Sequence, residues 1–418
     1  MPARLGRRHD DRLVAAAGEH HHGVQRFLEE RRPVGESAAD AVGIANSVDD
    51  GSRQVTEGRD LEAIAELPQV MQMHHLGDES ATDDADAQSS LSQAGRDYTP
   101  VVDGRSICRV SPLTPSIAIA GAPVSFGAFE VTVGVDPHVP DALAVLDAVA
   151  RAGYAGIDLG PPGYLGNGRE LSDRLHERGL HLAGGYIAMP FSEPDRMPSA
   201  LTELGRLLDI FDGVKGDAPM PPRATLADAG SDDRRRTPGR AHDDPSLMLD
   251  AAGWSRFADS TDRAADLCRR RGYEPTFHHH GASYVETPQE IGELLDRTDV
   301  GLCLDTGHLV LGGGDPHQAV IEWADRINHL HLKDVRRAVI DRVIAAQGVM
   351  MDFWREGAFC PLGDGDLDID AILRALRDRG FGGWLVVEQD MLPRPDDSID
   401  RAARDQQRNR EYLRTRGL

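Results

Sequence analysis

Lysine is almost missing from this chain of 418 residues: it occurs only at Lys215 and Lys333, and arginine supplies the rest of the 46 basic side chains. Cysteine is equally sparse. Cys108, Cys268, Cys303 and Cys360 form no CxxC pair, which excludes a disulfide framework and a thiolate zinc site and leaves reduced thiols, mainly in the core. Positive charge is in short supply as well. With 69 Asp and Glu the formal net charge is −23, offset locally only by Arg234–Arg236 and Arg269–Arg271. Phosphate backbones and anionic lipid surfaces are repelled, so nucleic acid and membrane drop out as partners. No apolar run nears the ~18 to 20 residues of a membrane helix. The arginine-rich start, Met1 to Arg8, runs into His, Asp and Glu rather than the apolar stretch of a signal peptide, which predicts a cytoplasmic protein.

What the chain does contain falls into two parts. Residues 1–115 show no sustained periodicity and include the acidic, serine-rich stretch Gly77 to Arg96. Such a composition buries too little apolar surface to offset chain entropy, so this part is expected to be a poorly ordered extension. Asp60 to Gln72 has the pattern of one short helix, interrupted by Pro68. His20–His22, in such an arm, is expected to bind nothing specific.

From residue 116 to 418 short apolar runs alternate with amphipathic stretches. Strands are predicted at Ile117–Gly127, Gly156–Gly160, His181–Ala188, Arg223–Ala229, Glu274–His280, Gly301–Asp305, Ile327–Leu332 and Trp384–Glu388, with helices between them, among them Asp141–Ala152 and Arg169–Arg178. Strand-helix alternation implies parallel βαβ units, and eight of them in about 300 residues predict an α/β fold, a closed (β/α)8 TIM barrel. An open doubly wound sheet is the alternative, but no GxGxxG follows the first strand.

In such a barrel the reacting groups sit where strands end. The fifth strand ends in His278-His279-His280, with Glu286 beyond it, and the sixth ends in Asp305, with His308 three residues later. The seventh places His329, His331 and Lys333 on one face by the two-residue period of a strand. The eighth ends in Glu388 and Asp390. Singly, each has a plainer reading, as a helix cap or a core histidine. Together, on four consecutive strands, they form a nitrogen and oxygen set suited to a divalent ion such as Mn²⁺, Co²⁺, Mg²⁺ or Zn²⁺. Lys333, in a chain nearly devoid of lysine, is expected to bond a substrate hydroxyl or an oxyanion, with a salt bridge to Asp334 or a neighbouring strand end as the alternative.

These residues resemble the xylose-isomerase-like superfamily, the sugar phosphate isomerase/epimerase group, and within it the inosose dehydratase branch. The likeness spans about Ile117 to Leu418 and rests on APVSFGAFE (Ala122 to Glu130), HHHGASYVET (His278 to Thr287), LDTGHL (Leu304 to Leu309), HLHLKDV (His329 to Val335), PLGDGDLD (Pro361 to Asp368) and WLVVEQD (Trp384 to Asp390). It implies a metal, Mn²⁺ or Co²⁺ first, held by Asp305, His331 and Glu388. The superfamily's strand-five Glu is replaced here by the histidine run. Glu286 is the preferred fourth ligand, with His278 or His280 as substitutes. Phe126 stands where inosose dehydratases commonly have Trp.

The implied chemistry is metal-assisted formation of an enediolate from a polyhydroxylated ketone. Loss of a β-hydroxyl dehydrates an inosose; reprotonation gives isomerisation or epimerisation instead. Glu388, His308, Lys333, His278 and His280 are the catalytic candidates. Phe126, Glu130, His329, Asp334 and Trp354 are expected to bind substrate. The long segment Ala338–Cys360, carrying Trp354, is expected to be a lid, or else a packing flap or subunit contact. Assembly into a homo-oligomer stays open. Two rivals share the barrel: an apurinic-site endonuclease, disfavoured by the charge of −23, and a catalytically inactive binding barrel.

Overall fold

The computed structural model describes residues 116–214, 216, 218, 220–394 and 399–418. The expectations for residues 1–115, including Asp60–Gln72, His20–His22 and Cys108, lie outside the described residues, as does Lys215.

Strands β1 (Ile117–Gly121), β2 (Gly156–Ile157), β3 (His181–Leu182), β4 (Gly184–Met189), β5 (Arg223–Asp228), β6 (Pro275–His278), β7 (Gly301–Asp305), β8 (Ile327–Leu332) and β11 (Gly383–Val387) form one parallel sheet, in the order β3-β2-β1-β11-β8-β7-β6-β5-β4. Only Ala183 separates β3 from β4, so the two ends of the sheet are halves of one strand and the sheet closes into an eight-stranded barrel. Hydrogen bonds continue across the junction, where Ala183 N–H donates to the Ile157 carbonyl and Arg223 N–H to the Ala183 carbonyl. A small antiparallel pair, β9 (Asp334–Val335) with β10 (Phe359–Cys360), lies outside that sheet.

The helices follow the strands: α1 (Ala142–Ala152), α2 (Gly168–His176), α3 (Met197–Gly213), α4 (Asp232–Arg236), α5 (Ala251–Arg270), α6 (Pro288–Arg297), α7 (Thr306–Leu311), α8 (Pro316–Glu322), α9 (Arg337–Ala345), α10 (Met350–Glu356), α11 (Ile369–Asp378) and α12 (Ile399–Arg414). Local signals set their ends. The Asp141 side chain caps α1, and Thr287 with Glu290 forms a reciprocal capping box on α6. The first predicted strand is shorter than expected, because Pro123 starts a 3-10 turn over Pro123–Phe126.

Inside the barrel, Trp384 is fully buried among Ala120, Ala122, Ala183 and Val386. The alternation of β1, IAIAG, puts its small alanines on that inner face, where a whole indole fills the space. Gly156 is required by the same packing: a Cβ there would lie 2.9 Å from the Trp384 ring and 2.7 Å from the His181 carbonyl oxygen. The main core lies between strands and helices. A second core of Val310, Leu311, Val335, Ile340, Val343, Phe353, Ala358 and Phe359 supports α9 and α10. The segment expected as a lid is therefore folded, with its own apolar interior. Cys268, Cys303 and Cys360 are buried free thiols.

Candidate active site

Register brings the key groups level. Asp305 on β7 pairs with His331 on β8, and His331 with Val386 on β11, one residue before the strand ends ahead of Glu388. Lys333, two residues past His331, projects its ammonium between carboxylates. Its Nζ is 2.6 Å from Asp305 Oδ2, contacts Glu388 Oε2 and lies 3.4 Å from Asp390 Oδ1. His331 Nδ1 is 3.1 Å from Glu388 Oε2 and 3.6 Å from Asp305 Oδ2. Asp305 serves two ends at once: its Oδ1 caps α7 by accepting the Gly307 and His308 N–H groups at 2.9 and 2.8 Å, while Oδ2 faces the site. The cap fixes the carboxylate's orientation.

Charge follows from this packing. Burial would weaken the Lys333 ammonium, but Asp305, Asp390 and Glu388 hold its pKa well above the usual lysine value. Against burial, Lys333, His308 and the contacts of His278 and His331 keep the Asp305 carboxyl well below the ordinary range. His331 and Lys333 do the same for Glu388, and burial pushes Asp390 up to about 7. The histidines at the end of β6 behave oppositely: burial drives His278 and His280 down to about 4 and His279 to about 3. They are neutral near pH 7. His279 Nε2 accepts the Asp305 N–H at 3.0 Å, so this imidazole holds the strand carrying the carboxylate.

The candidate residues separate into two groups. Gathered at the strand ends are His278, whose Nε2 is 3.4 Å from Asp305 Oδ2, and His280 and His308, whose rings lie 3.9 Å apart. His308 Nε2 is 3.9 Å from Asp390 Oδ2. Glu286, the preferred fourth ligand, is elsewhere. Its two oxygens accept the Gly239 and Ala282 N–H groups at 3.0 and 2.6 Å, with the buried Arg234 4.0 Å away. It ties the loop after β5 to the loop after β6, and His278 stands on the Asp305 side instead. Asp334 likewise anchors a loop, accepting N–H groups from Val335, Gly363, Gly365 and Leu367. His329 sits two residues deeper on β8 than His331, fully buried, with neither ring nitrogen hydrogen-bonded among the described residues.

At the mouth, Trp354 from α10 stacks on Phe129 with ring centres 4.4 Å apart. The helix after β8 thus reaches the loop after β1. Phe126 packs in the main core, whereas Phe129, which the sequence did not single out, meets the lid. Glu130 is exposed.

Residues 146–414 match the family model described as xylose isomerase-like TIM barrel. The chain belongs to this family. It is 30% identical over 261 residues to an inosose dehydratase of Geobacillus kaustophilus, covering 60% of this chain and 80% of that protein. An inosose dehydratase of Clostridium perfringens is 33% identical over 153 residues, where the match spans 36% of this chain and about half, 52%, of the relative. Among solved structures, a D-allulose 3-epimerase from Methylomonas sp. shares the fold at a TM-score of 0.50 and 15% identity, over 72% of this chain and 98% of that one.

Within this family barrel, the donor set fits a divalent cation. Ligand atoms of Asp305, His331 and Glu388 all lie within 4.8 Å of one another, as do those of His278, Asp305 and His308. Among the described residues neither nitrogen of His331 makes an aligned hydrogen bond, and His278 Nδ1 and Asp390 Oδ1 are also buried without one. Buried polar atoms left open in this way are costly unless something fills them. Here two cations, the Lys333 ammonium and protonated His331, face Asp305 and Glu388. Burial opposes the charge on His331, yet Cys303 first, then Glu388 and the contacts with Asp158 and Asp305, hold its pKa well above the usual value. A metal ion would take the place of the His331 proton.

Besides Phe129, two residues escape the sequence reading. Asp390 stands out in the sequence only as a strand-end carboxylate, and Asp158, one residue past β2, falls inside a predicted strand. Its Oδ2 is 3.5 Å from His331 Nε2. The strand-end rule that found Asp305 and Glu388 applies to Asp158 equally.

Proposed function

We propose that residues 116–418 form the catalytic domain of a cytoplasmic, divalent-metal-dependent hydro-lyase acting on an inosose, with Mn²⁺ or Co²⁺ as the ion. The observation that carries the reading is the convergence of Asp305, His331 and Glu388 around the buried Lys333, in a chain 30% identical to an inosose dehydratase over 80% of that relative. Asp305, His331 and Glu388 would hold the cation, with His278 beside them. Such an ion supplies positive charge toward the ketone oxygen as negative charge develops there.

The chain's own residues account for the protons. A neutral imidazole, His280 or His308, accepts the proton from the carbon beside the ketone. Lys333, held cationic by its three carboxylates, donates a hydrogen bond to an oxygen of the resulting enediolate. The electron pair then forms the carbon–carbon double bond and breaks the β C–O bond. The departing hydroxyl takes the proton back from the imidazolium and leaves as water, and the enol product rearranges to a dione. Trp354 and Phe129 close the mouth and exclude solvent water. The net charge of −23 suits an uncharged polyol better than a nucleic acid.

The test is to mix the full chain, loaded with Mn²⁺ or Co²⁺, with scyllo-inosose and follow dione absorbance and product NMR. A metal-dependent dione, lost in Glu388→Gln, supports dehydration. Metal binding with inosose untouched, but exchange of the proton beside a ketose carbonyl, would replace it with isomerisation or epimerisation.

A further inference from the structure

Asp158 is a carboxylate in an expensive position. It is 5% exposed, and among the described residues its Oδ1 has no hydrogen-bond partner and its Oδ2 has one basic neighbour at ion-pair distance, His331 Nε2 at 3.5 Å. A buried, poorly bonded carboxylate costs stability unless it serves something else. Asp158 follows β2, three places from β8 in the barrel order, so this contact spans the barrel interior. The backbone holds it there: Asp158 N–H donates to the Gly121 carbonyl at 2.9 Å. Gly184 leaves the space beside it, since a Cβ at that residue would come within 3.0 Å of Asp158 Oδ1.

The two nitrogens of His331 therefore face different carboxylates. Nδ1 looks toward Glu388 at 3.1 Å and Asp305 at 3.6 Å, and Nε2 toward Asp158. We infer that Asp158 is a positioning residue: it accepts the Nε2 proton of His331, fixing the tautomer in which Nδ1 is the free donor atom toward Asp305 and Glu388. This rests on the reading of Asp305, His331 and Glu388 as a metal site. Asp158, His329 and His331 also lie close enough to hold a cation of their own. That arrangement would require His331 to bind through both nitrogens as an imidazolate, or to leave Asp305 and Glu388. A carboxylate holding the far nitrogen of a ligating histidine needs neither, and such partners typically contribute 10- to 100-fold in metal affinity.

The experiment compares the full chain with Asp158→Asn and Asp158→Ala, measuring Mn²⁺ affinity, thermal stability and, on Zn²⁺-loaded protein, the ¹⁵N resonances of His331 assigned with His331→Ala. The expected result is a loss of Mn²⁺ affinity of about 10- to 100-fold in both variants, with a melting temperature unchanged or higher. The wild-type spectrum should show Nε2 protonated and Nδ1 bound. A purely structural Asp158 would instead lower the melting temperature without moving affinity, and that outcome overturns the inference. So does a wild-type His331 ligated through Nε2. Loss of metal in His331→Ala with unchanged affinity in both Asp158 variants refutes the positioning role alone; a wild type that binds no metal refutes the metal site and the inference with it.

Discussion

Replacing Asp334 by Ala separates a loop anchor from a substrate contact. Asp334 Oδ1 accepts the Val335 and Leu367 N–H groups at 2.9 and 3.2 Å, and Oδ2 accepts those of Gly363 and Gly365 at 2.8 and 3.1 Å. A hydrogen bond to a charged group nets about 1.5–3 kcal/mol, which sets a ceiling of roughly 6–12 kcal/mol for four. The true loss is smaller, because Gly363, Gly365 and Leu367 lie in one loop that can open and bond water. Val335, fully buried in β9, has no such escape, and an orphaned buried donor costs about 1–3 kcal/mol. The expected destabilisation is thus about 2–5 kcal/mol, or a melting temperature lower by roughly 5–10 °C. Asp334→Asn should rescue little, since its amide would turn a donor toward two N–H donors. Calorimetry gives the melting temperature, and amide exchange at Gly363, Gly365 and Leu367 should accelerate. Variants that melt within about 2 °C of wild type but show a raised KM would refute this reasoning and restore Asp334 as a substrate contact.

Three further outcomes are expected. Glu286→Gln should lower the melting temperature, because one of its two backbone acceptors becomes a donor, yet leave Mn²⁺ affinity within about twofold; a large affinity loss at unchanged stability would make Glu286 a ligand. Acid should destabilise the barrel. Unfolded histidines take up protons near pH 6.5, whereas burial keeps His278 and His280 neutral until about 4 and His279 until about 3. Their contribution is complete above pH 6.5 and is lost as pH falls toward 4, and His308 and His329, also held down by burial, add to the loss; His331 and the raised carboxylates Asp390 and Asp228, which take up protons in the folded protein near 7 and 6, oppose it. A melting temperature that holds or rises between pH 7 and 5 in melting scans would contradict that balance. Trp354→Ala removes the stack on Phe129, worth about 0.5–1.5 kcal/mol, and should raise KM for substrate about 2- to 10-fold while stability changes little. An unchanged KM would make the α10 segment a packing flap.

Strand period and residue scarcity made much of the site legible in advance. The alternation of Ile327–Leu332 puts His329, His331 and Lys333 on one side of any strand, and a lysine in a chain with two of them stands out. Apolar runs ending in Asp305 and Glu388 announce barrel strand ends without knowledge of their neighbours. Glu286 and Asp334 are ambiguous in the sequence for a common reason: a carboxylate near a strand end has the right chemistry for a ligand and for holding backbone N–H groups. Which role it takes depends on loops 47 and about 30 residues away in sequence, at Gly239 and at Gly363–Leu367.

The sequence by itself determined the elements, their parallel order and which residue types each strand end would present, since these follow from local periodicity and capping. Only the tertiary structure decided who meets whom. Closure through Ala183 and the stagger of the strands set Asp158 against His331 across the barrel, His279 against the Asp305 N–H, and Lys333 between Asp305 and Glu388. Those pairings depend on register, a property of the closed sheet that no single strand carries.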